Sequence, residues 1–143
     1  MTKLRTSLIA AAAAFSLAAP AATVAQDRNG AEQSKGQAEL AKLLDGRVAG
    51  EPERCVRTFP SRNVEIIEGT ALVIRAGNTV WVNTTQDPET LDEDDALLIR
   101  KFGSTSQLCR LDQVTTFDRF NGFYTGNIFL TDFVPYRKAD AAS

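Results

Sequence analysis

Apolar and polar residues follow a strand-like pattern most clearly in TALVIRAGNTVWVNTT, residues 70–85. Two β-rich runs flank Gly77-Asn78, a dipeptide that suits the two-residue loops matching the twist of antiparallel strands. The pattern predicts a hairpin in which Ile74 faces Trp81. One face would carry Leu72, Ile74 and Trp81, and the other Val73, Val80 and Val82. Because both faces are apolar, we expect this hairpin at the centre of the domain, covered on both sides.

Further strands are predicted on either side of the hairpin, in NVEIIEGT, DALLIRKF, DQVTTFD and TGNIFLTDFVPY. The first would join the hairpin through a two-residue turn at Glu68-Gly69, and DALLIRKF fits a strand better than a short helix. Leucines at helical spacing before Gly46 predict one short helix from Gln37 to Asp45. Together these elements predict a small antiparallel β-barrel or sandwich of five to six strands with one short N-terminal helix.

The N-terminus has the pattern of an export signal. Lys3 and Arg5 precede an uncharged, alanine-rich run that falls short of the ~20 residues of a membrane span, and an uncleaved anchor is the less favoured alternative. Cleavage is expected after Ala25. The remaining chain would comprise a polar, disordered lead-in (26–36), a single β-rich domain (37–138) and a polar tail (139–143) in the periplasm or outside the cell.

Charge excludes one class of partner. The chain has 16 basic and 18 acidic residues, and loss of Lys3 and Arg5 with the signal leaves 14 basic residues, a net charge of about −4. A nucleic-acid-binding domain would show a basic patch instead. No glycine-rich phosphate loop is present, and no cofactor is expected.

The two cysteines, Cys55 and Cys109, both belong to the mature chain. Disulfides persist in the oxidising compartment to which a signal peptide directs a chain, and two cysteines can pair without a remainder. A structural Cys55–Cys109 disulfide is therefore predicted, with two free buried thiols as the alternative. The chain has no histidine to act as a base or metal ligand, which disfavours a catalytic thiol or a metal site.

The order of several short motifs resembles a family of small exported Gram-negative bacterial proteins of unknown function. The motifs are GEPERC, the hairpin GTALVIRAGNTVWVN, DALLIRK, LCRLDQV and FLTDFVPYRK, which together cover about residues 50–138. Members of that family carry four cysteines, and Cys55 and Cys109 match the first and third. The second would fall near Pro88 and the fourth at Ile128. The resemblance implies export and a Cys55–Cys109 bridge, and it implies no activity.

The densest acidic segment, DPETLDEDDALL, is a weak candidate for a calcium site through Asp87, Glu89, Asp92 and Asp94. It does not match an EF-hand loop, because Asp92 occupies the position where that loop needs glycine. A solvated connection between strands is the favoured interpretation. No metal site is therefore assigned.

No catalytic residues are assigned. The chain lacks a G-x-S-x-G motif and histidine, so an envelope hydrolase would need paired carboxylates or a Ser–Lys pair, for instance with Lys101.

The aromatic residues near the C-terminus form the more interesting group. In FDRFNGFYTG, the residues Arg119, Phe120, Phe123 and Tyr124 lie in a predicted loop and form a candidate binding patch. Packing of these aromatics into the core is favoured over exposure, because a small domain needs such residues inside. The overall expectation is a non-enzymatic periplasmic binding or accessory module, with an envelope protein or glycan as candidate partner. A hydrolase is the alternative.

Overall fold

The structure, a computed structural model, describes residues 35–58 and 64–139. The predicted signal peptide, residues 26–34 of the predicted lead-in and residues 140–143 of the predicted tail lie outside the described residues. None of the helices in the described ranges combines the length and apolarity needed to cross a membrane.

The described residues form one helix, a 3-10 turn and ten strands. The helix, α1, occupies residues 35–43, and the 3-10 turn spans Pro88–Thr90. The strands are β1 (Arg47–Ala49), β2 (Cys55–Arg57), β3 (Val64–Ile67), β4 (Ala71–Ala76), β5 (Thr79–Asn83), β6 (Asp95–Arg100), β7 (Gln107–Cys109), β8 (Gln113–Asp118), β9 (Tyr124–Ile128) and β10 (Val134–Lys138).

The strands are arranged in three antiparallel sheets. Five form a sheet in the order β1-β10-β5-β4-β3, three form a sheet in the order β6-β8-β9, and β2 pairs with β7 in a two-stranded ribbon. The mainly β prediction with a short N-terminal helix is confirmed, and the sheets form a sandwich rather than a closed barrel. The strand number exceeds five to six because β1, β2 and β7 have three residues each, too few to show alternation, and TGNIFLTDFVPY divides into β9 and β10.

The predicted central hairpin is confirmed in its register and its position. Ile74 lies opposite Trp81, and the pair Gly77-Asn78 forms the turn between β4 and β5. Gly77 has a φ of 60°, a left-handed conformation that a side chain would disfavour. β4 is flanked by β3 and β5 in the five-stranded sheet, so the hairpin is buried within the fold.

Each face of the five-stranded sheet has its own apolar core. On one face, Val73, Val80 and Val82 pack against Leu40 and Leu43 of α1 and against Leu44, which follows the helix. On the other face, Leu72 and Ile74 join a cluster with Val56 and Leu108 of the ribbon, Val114 and Ile128 of the three-stranded sheet, and Phe133. The hairpin therefore connects the two halves of the molecule, which explains why both of its faces are apolar.

α1 includes two residues that were predicted to belong to the lead-in. Gly36 is buried, and a β-carbon there would overlap the Glu68 carbonyl oxygen and the Thr70 hydroxyl of the β3–β4 turn. The missing side chain thus lets the helix approach this turn closely. The helix ends at residue 43, two residues before the predicted end, and Gly46 follows with a φ of 66°.

The β3–β4 turn is one residue longer than predicted. Ile67 pairs with Ala71, so the turn contains Glu68, Gly69 and Thr70. The Thr70 hydroxyl donates a hydrogen bond to the Glu68 carbonyl oxygen at 2.8 Å, which closes the turn. Of DALLIRKF, Asp95–Arg100 form a strand that pairs with β8, as expected, and the strand ends before Lys101.

Candidate functional site: an aromatic cleft beside the disulfide ribbon

The predicted disulfide between Cys55 and Cys109 is present, and the described residues contain no free cysteine. The two cysteines lie directly opposite each other in β2 and β7, with 4.0 Å between their α-carbons. The adjacent pair is hydrogen-bonded, since the Arg110 N–H donates to the Arg54 carbonyl. Three pairs further along the ribbon, the Thr58 N–H donates to the Ser106 carbonyl, which fits the same alternation. The cysteines therefore occupy a non-hydrogen-bonded position, where antiparallel strands approach most closely.

A buried carboxylate fixes the segments on either side of this ribbon. Asp112 accepts a hydrogen bond from the Cys109 N–H on one oxygen and from the Phe102 N–H on the other, at 2.8 and 2.9 Å. The turn from β7 to β8 is closed by a further bond from Asp112 N–H to the Cys109 carbonyl. Asp112 thus holds Phe102 next to the turn that carries Leu111.

Phe102 and Leu111 form one rim of an open cleft of about 850 Å³, which we call the aromatic cleft. Phe129, also exposed, lines the same cleft. Phe102 is 69% exposed and Leu111 is 81% exposed, although both are large apolar side chains. The floor consists of the buried residues Val114, Ile128 and Leu130. Three exposed apolar residues around one concave site are the usual sign of a binding surface.

The part of the cleft lining that contains Thr131 is held by Asn83, which is fully buried at the end of β5. Its amide nitrogen donates to the Thr131 carbonyl at 2.7 Å, and its amide oxygen accepts from the Thr131 N–H at 3.1 Å. Next to this contact, the Gln86 N–H donates to the Phe129 carbonyl at 2.9 Å. The segment between β9 and β10 is therefore anchored to the central sheet, so the cleft is preformed.

The charged groups of the aromatic cleft are mostly compensated within the protein. The Arg110 Nη1 lies 3.4 Å from the Asp132 Oδ1, an ion pair without hydrogen-bond geometry, since this buried oxygen has no hydrogen-bond partner among the described residues. Both oxygens of Asp112 accept backbone N–H groups. Gln86 and Gln113 add exposed amide side chains to the lining. Apolar rims with uncharged polar groups suit a ligand without strong charge.

The predicted patch at the β8–β9 turn is exposed, and the favoured core assignment is wrong for three of its residues. Phe120 is 87% exposed and Phe123 is 72% exposed, while Tyr124 is also exposed at the start of β9. Phe133 is buried in the core as that assignment expected. The buried members of the two core clusters are Phe133 and aliphatic residues instead.

Arg119 points away from its aromatic neighbours. Its guanidinium donates to the Asp95 carbonyl oxygen at 2.9 Å, and it lines a second cleft between β3 and β6. Phe117, half-buried on β8, makes an edge-to-face contact with Tyr124, with ring centroids 6.2 Å apart.

Asp118 fixes the conformation of the β8–β9 turn. One carboxylate oxygen accepts hydrogen bonds from the N–H groups of Phe120 and Asn121, at 2.8 and 3.0 Å. The bond from the Asn121 N–H has the larger effect and the bond from the Phe120 N–H the next. Both favour the charged carboxylate and hold the pKa of Asp118 below its ordinary value of 3.8. The ionised carboxylate therefore positions the exposed aromatic rings.

We predict that the order of this turn depends on pH through Asp118. Because the folded-state pKa is lowered, the stabilisation is present above pH 3.8 and disappears as the pH falls through the lower, folded-state pKa. Hydrogen exchange of the Phe120 and Asn121 amides should show protection that decreases in this acidic range. Asp118→Asn should abolish this pH dependence. Asp87→Asn is the control and should keep the pH dependence of the wild type, because no side-chain bond from Asp87 caps the 3-10 turn. A pH profile in Asp118→Asn equal to that of the wild type would contradict the role of Asp118.

The four acidic residues of the calcium candidate do not converge. Asp87 precedes the 3-10 turn that contains Glu89, and Asp92 accepts a hydrogen bond from the Asp94 N–H at 2.8 Å. Within residues 35–58 and 64–139, no group of three or more cysteine or acidic side chains is placed to hold a metal ion. The segment instead forms the solvated connection between β5 and β6.

Within residues 35–58 and 64–139, Lys101 donates no hydrogen bond to a serine hydroxyl, as the Ser–Lys pair of a hydrolase would need. Its ammonium group donates to the Thr58 hydroxyl at 2.8 Å and to the Thr105 carbonyl at 2.9 Å. The hydroxyls of Ser104 and Ser106 bond to each other at 2.8 Å. These contacts link the β6–β7 connection to the end of β2, which is a structural role.

The residues that shape the aromatic cleft were not singled out from the sequence. Phe102, Leu111 and Asp112 lie in short irregular segments, where hydrophobic periodicity does not predict which side chains are exposed. Asn83 could have been recognised from the sequence. It lies two residues after Trp81 in VWVN and therefore on the same face of the strand, where an apolar residue would be expected. A polar residue at a core position indicates a specific hydrogen-bonding role.

Comparisons of the chain with models of known families, with curated proteins and with solved structures found no match.

Proposed function

We propose that this chain is an exported, non-enzymatic binding or accessory module of the Gram-negative periplasm, cleaved near Ala25. The disulfide between Cys55 and Cys109 supports this location, because such bonds persist in oxidising compartments. The resemblance to small exported proteins with a four-cysteine pattern agrees with it. The observation on which the binding role depends is the aromatic cleft.

The ligand we propose is a glycan of the cell envelope. Flat apolar faces of Phe102 and Phe129 can stack on sugar rings, and the amides of Gln86 and Gln113 can hydrogen-bond to hydroxyl groups. The compensated charges of Arg110 and Asp132 leave the cleft without a strong preference for an anion or a cation.

The test is co-sedimentation of the mature chain with purified sacculi from Gram-negative cells. Phe102→Ala and Phe129→Ala should each weaken retention about tenfold or more, the effect of losing an aromatic anchor. Both side chains are exposed, so melting temperatures should stay near the wild-type value. Retention that is unchanged in both variants would refute the cleft as the glycan site.

Phe120→Ala is the matched control, because it removes the same side chain from the exposed β8–β9 turn. It should leave retention within about twofold of wild type. Loss of retention in Phe120→Ala alone would place the binding surface at the turn. If sacculi fail to retain the wild type but an envelope protein does so through Phe102 and Phe129, the ligand is a protein and the glycan proposal is wrong.

A further inference from the structure

The β8–β9 turn contains an exposed Asn-Gly pair. Asn121 and Gly122 are both exposed, and a β-carbon built on Gly122 would meet no atom of the described residues within 4 Å. Gly122 has a φ of 73°, which a residue with a side chain would disfavour. The backbone nitrogen that follows Asn121 is therefore not shielded by a side chain of its own residue, and water has access to both residues.

An accessible Asn-Gly pair can react with itself. The Gly122 nitrogen, once deprotonated, can attack the side-chain carbonyl carbon of Asn121 and close a succinimide ring. The side-chain nitrogen leaves as ammonia, with a proton that replaces the one lost from the Gly122 N–H. Water then opens the ring at either carbonyl, which gives isoaspartate or aspartate. The amide is thereby exchanged for a carboxylate, a reaction that makes asparagine a thermolabile residue.

Hydrogen bonds within the turn restrain both reacting groups. The Gly122 N–H donates to the Asp118 carbonyl oxygen at 2.8 Å, so this bond must break before the nitrogen can lose its proton. The side-chain oxygen of Asn121 accepts from the Phe123 N–H at 2.8 Å, which limits rotation of the amide. The reaction therefore needs a locally open form of the turn, which a native protein populates only in part.

Asp118 closes the turn and so determines how often the open form occurs. Its carboxylate accepts hydrogen bonds from the Phe120 N–H and the Asn121 N–H, at 2.8 and 3.0 Å. Its backbone adds the bond from the Gly122 N–H and a bond from its own N–H to the Phe123 carbonyl at 2.8 Å. Each of these bonds favours the closed form. Opening of the turn thus breaks several bonds that share one residue.

We infer that Asn121 is a site of deamidation and that the hydrogen bonds of Asp118 set its rate. The product carries a second carboxylate next to Asp118. The Asn121 N–H, and to a smaller extent the Asn121 side chain, lower the pKa of Asp118 in the intact turn. A carboxylate at position 121 acts in the opposite direction through like-charge repulsion, and isoaspartate also lengthens the main chain. Modification therefore opens the turn and releases Phe120 and Phe123 from their fixed positions.

The test measures modification of residue 121 during incubation of the full mature chain in mildly alkaline buffer. Peptide mapping by mass spectrometry gives the rate, and labelling by an isoaspartate methyltransferase identifies the isoaspartate product. Asn127 lies in the same tryptic peptide and is exposed, but Ile128 follows it, so it should stay unmodified. Guanidinium-denatured protein should react at Asn121 about tenfold faster than folded protein, or more.

Three results of this comparison would overturn the inference. No modification at Asn121 in either state would refute the site, and equal rates in the two states would refute protection by the turn. A faster reaction in the folded protein would instead show that the Phe123 N–H stabilises the oxyanion of the tetrahedral intermediate.

Two matched variants separate the bonds of the turn from the loss of a charge. Asp118→Ala removes the carboxylate that accepts two N–H groups, so the folded variant should react about fivefold faster or more. Asp87→Ala removes the same charge where no side-chain bond caps the 3-10 turn, and it should stay within about twofold of wild type. Asp118→Asn keeps one acceptor oxygen and should give an intermediate rate, which decides the matter if Asp118→Ala does not fold. Equal rates in the Asp118 and Asp87 variants would refute the role of Asp118.

Discussion

Replacement of both Cys55 and Cys109 with serine is expected to lower the free energy of unfolding by about 4 kcal/mol. The bond links residues 54 apart in sequence, and in the chain-entropy model a closed loop of this size restricts the unfolded chain by about that amount. Single domains of this kind have net stabilities of roughly 5–15 kcal/mol. The variant should therefore unfold at a much lower denaturant concentration.

Urea denaturation with and without reductant checks this value. Reduced wild-type protein should unfold at the same urea concentration as the double variant. Reductant should not change the urea concentration at which the variant itself unfolds. A difference below about 1 kcal/mol would mean that the pairing of β2 with β7 holds the ribbon without the bond.

The second large effect is expected for Asn83→Ala, at about 3 kcal/mol of lost stability. The substitution leaves the Thr131 carbonyl and N–H without their partner from the buried amide, and each unsatisfied buried group costs about 1–3 kcal/mol. A small cavity in place of a fully buried side chain adds to the loss. Thermal or urea denaturation measures the change, and hydrogen exchange at Thr131 should increase.

Thr84→Ala is the control for Asn83→Ala. Thr84 is the exposed neighbour, and the carbonyl that accepts the Thr131 hydroxyl belongs to its backbone and survives the substitution. Its effect should stay within about 0.5 kcal/mol. Similar losses in the two variants would show that the end of β5 is sensitive to any change, and that the amide has no special role.

The parts of the fold that could be predicted from sequence are those with long, regular patterns. The β4–β5 hairpin has six- and five-residue strands and a glycine at the required turn position, so its register followed directly. The strands β1, β2 and β7 have three residues each and offer no period to recognise. Their pairing is set by tertiary contacts, chiefly the disulfide in the ribbon.

The candidate sites could be predicted only in part, for a related reason. The exposed turn was recognisable because Phe120 and Phe123 stand among polar residues and glycine. The preference for burying them failed because Phe133 and aliphatic residues form the buried part of both core clusters. The aromatic cleft is lined mostly by connecting segments beside β8 and β9, and the second cleft lies between strands of two sheets. Neither arrangement leaves a local pattern in the sequence.

The position of the disulfide next to Asp112 has a consequence for the proposed binding site. The Cys109 N–H and the Phe102 N–H share one carboxylate, so the covalent closure of β2 onto β7 also steadies a wall of the aromatic cleft. A newly made, still reduced chain lacks that support. Formation of the aromatic cleft would then follow oxidation of the two cysteines.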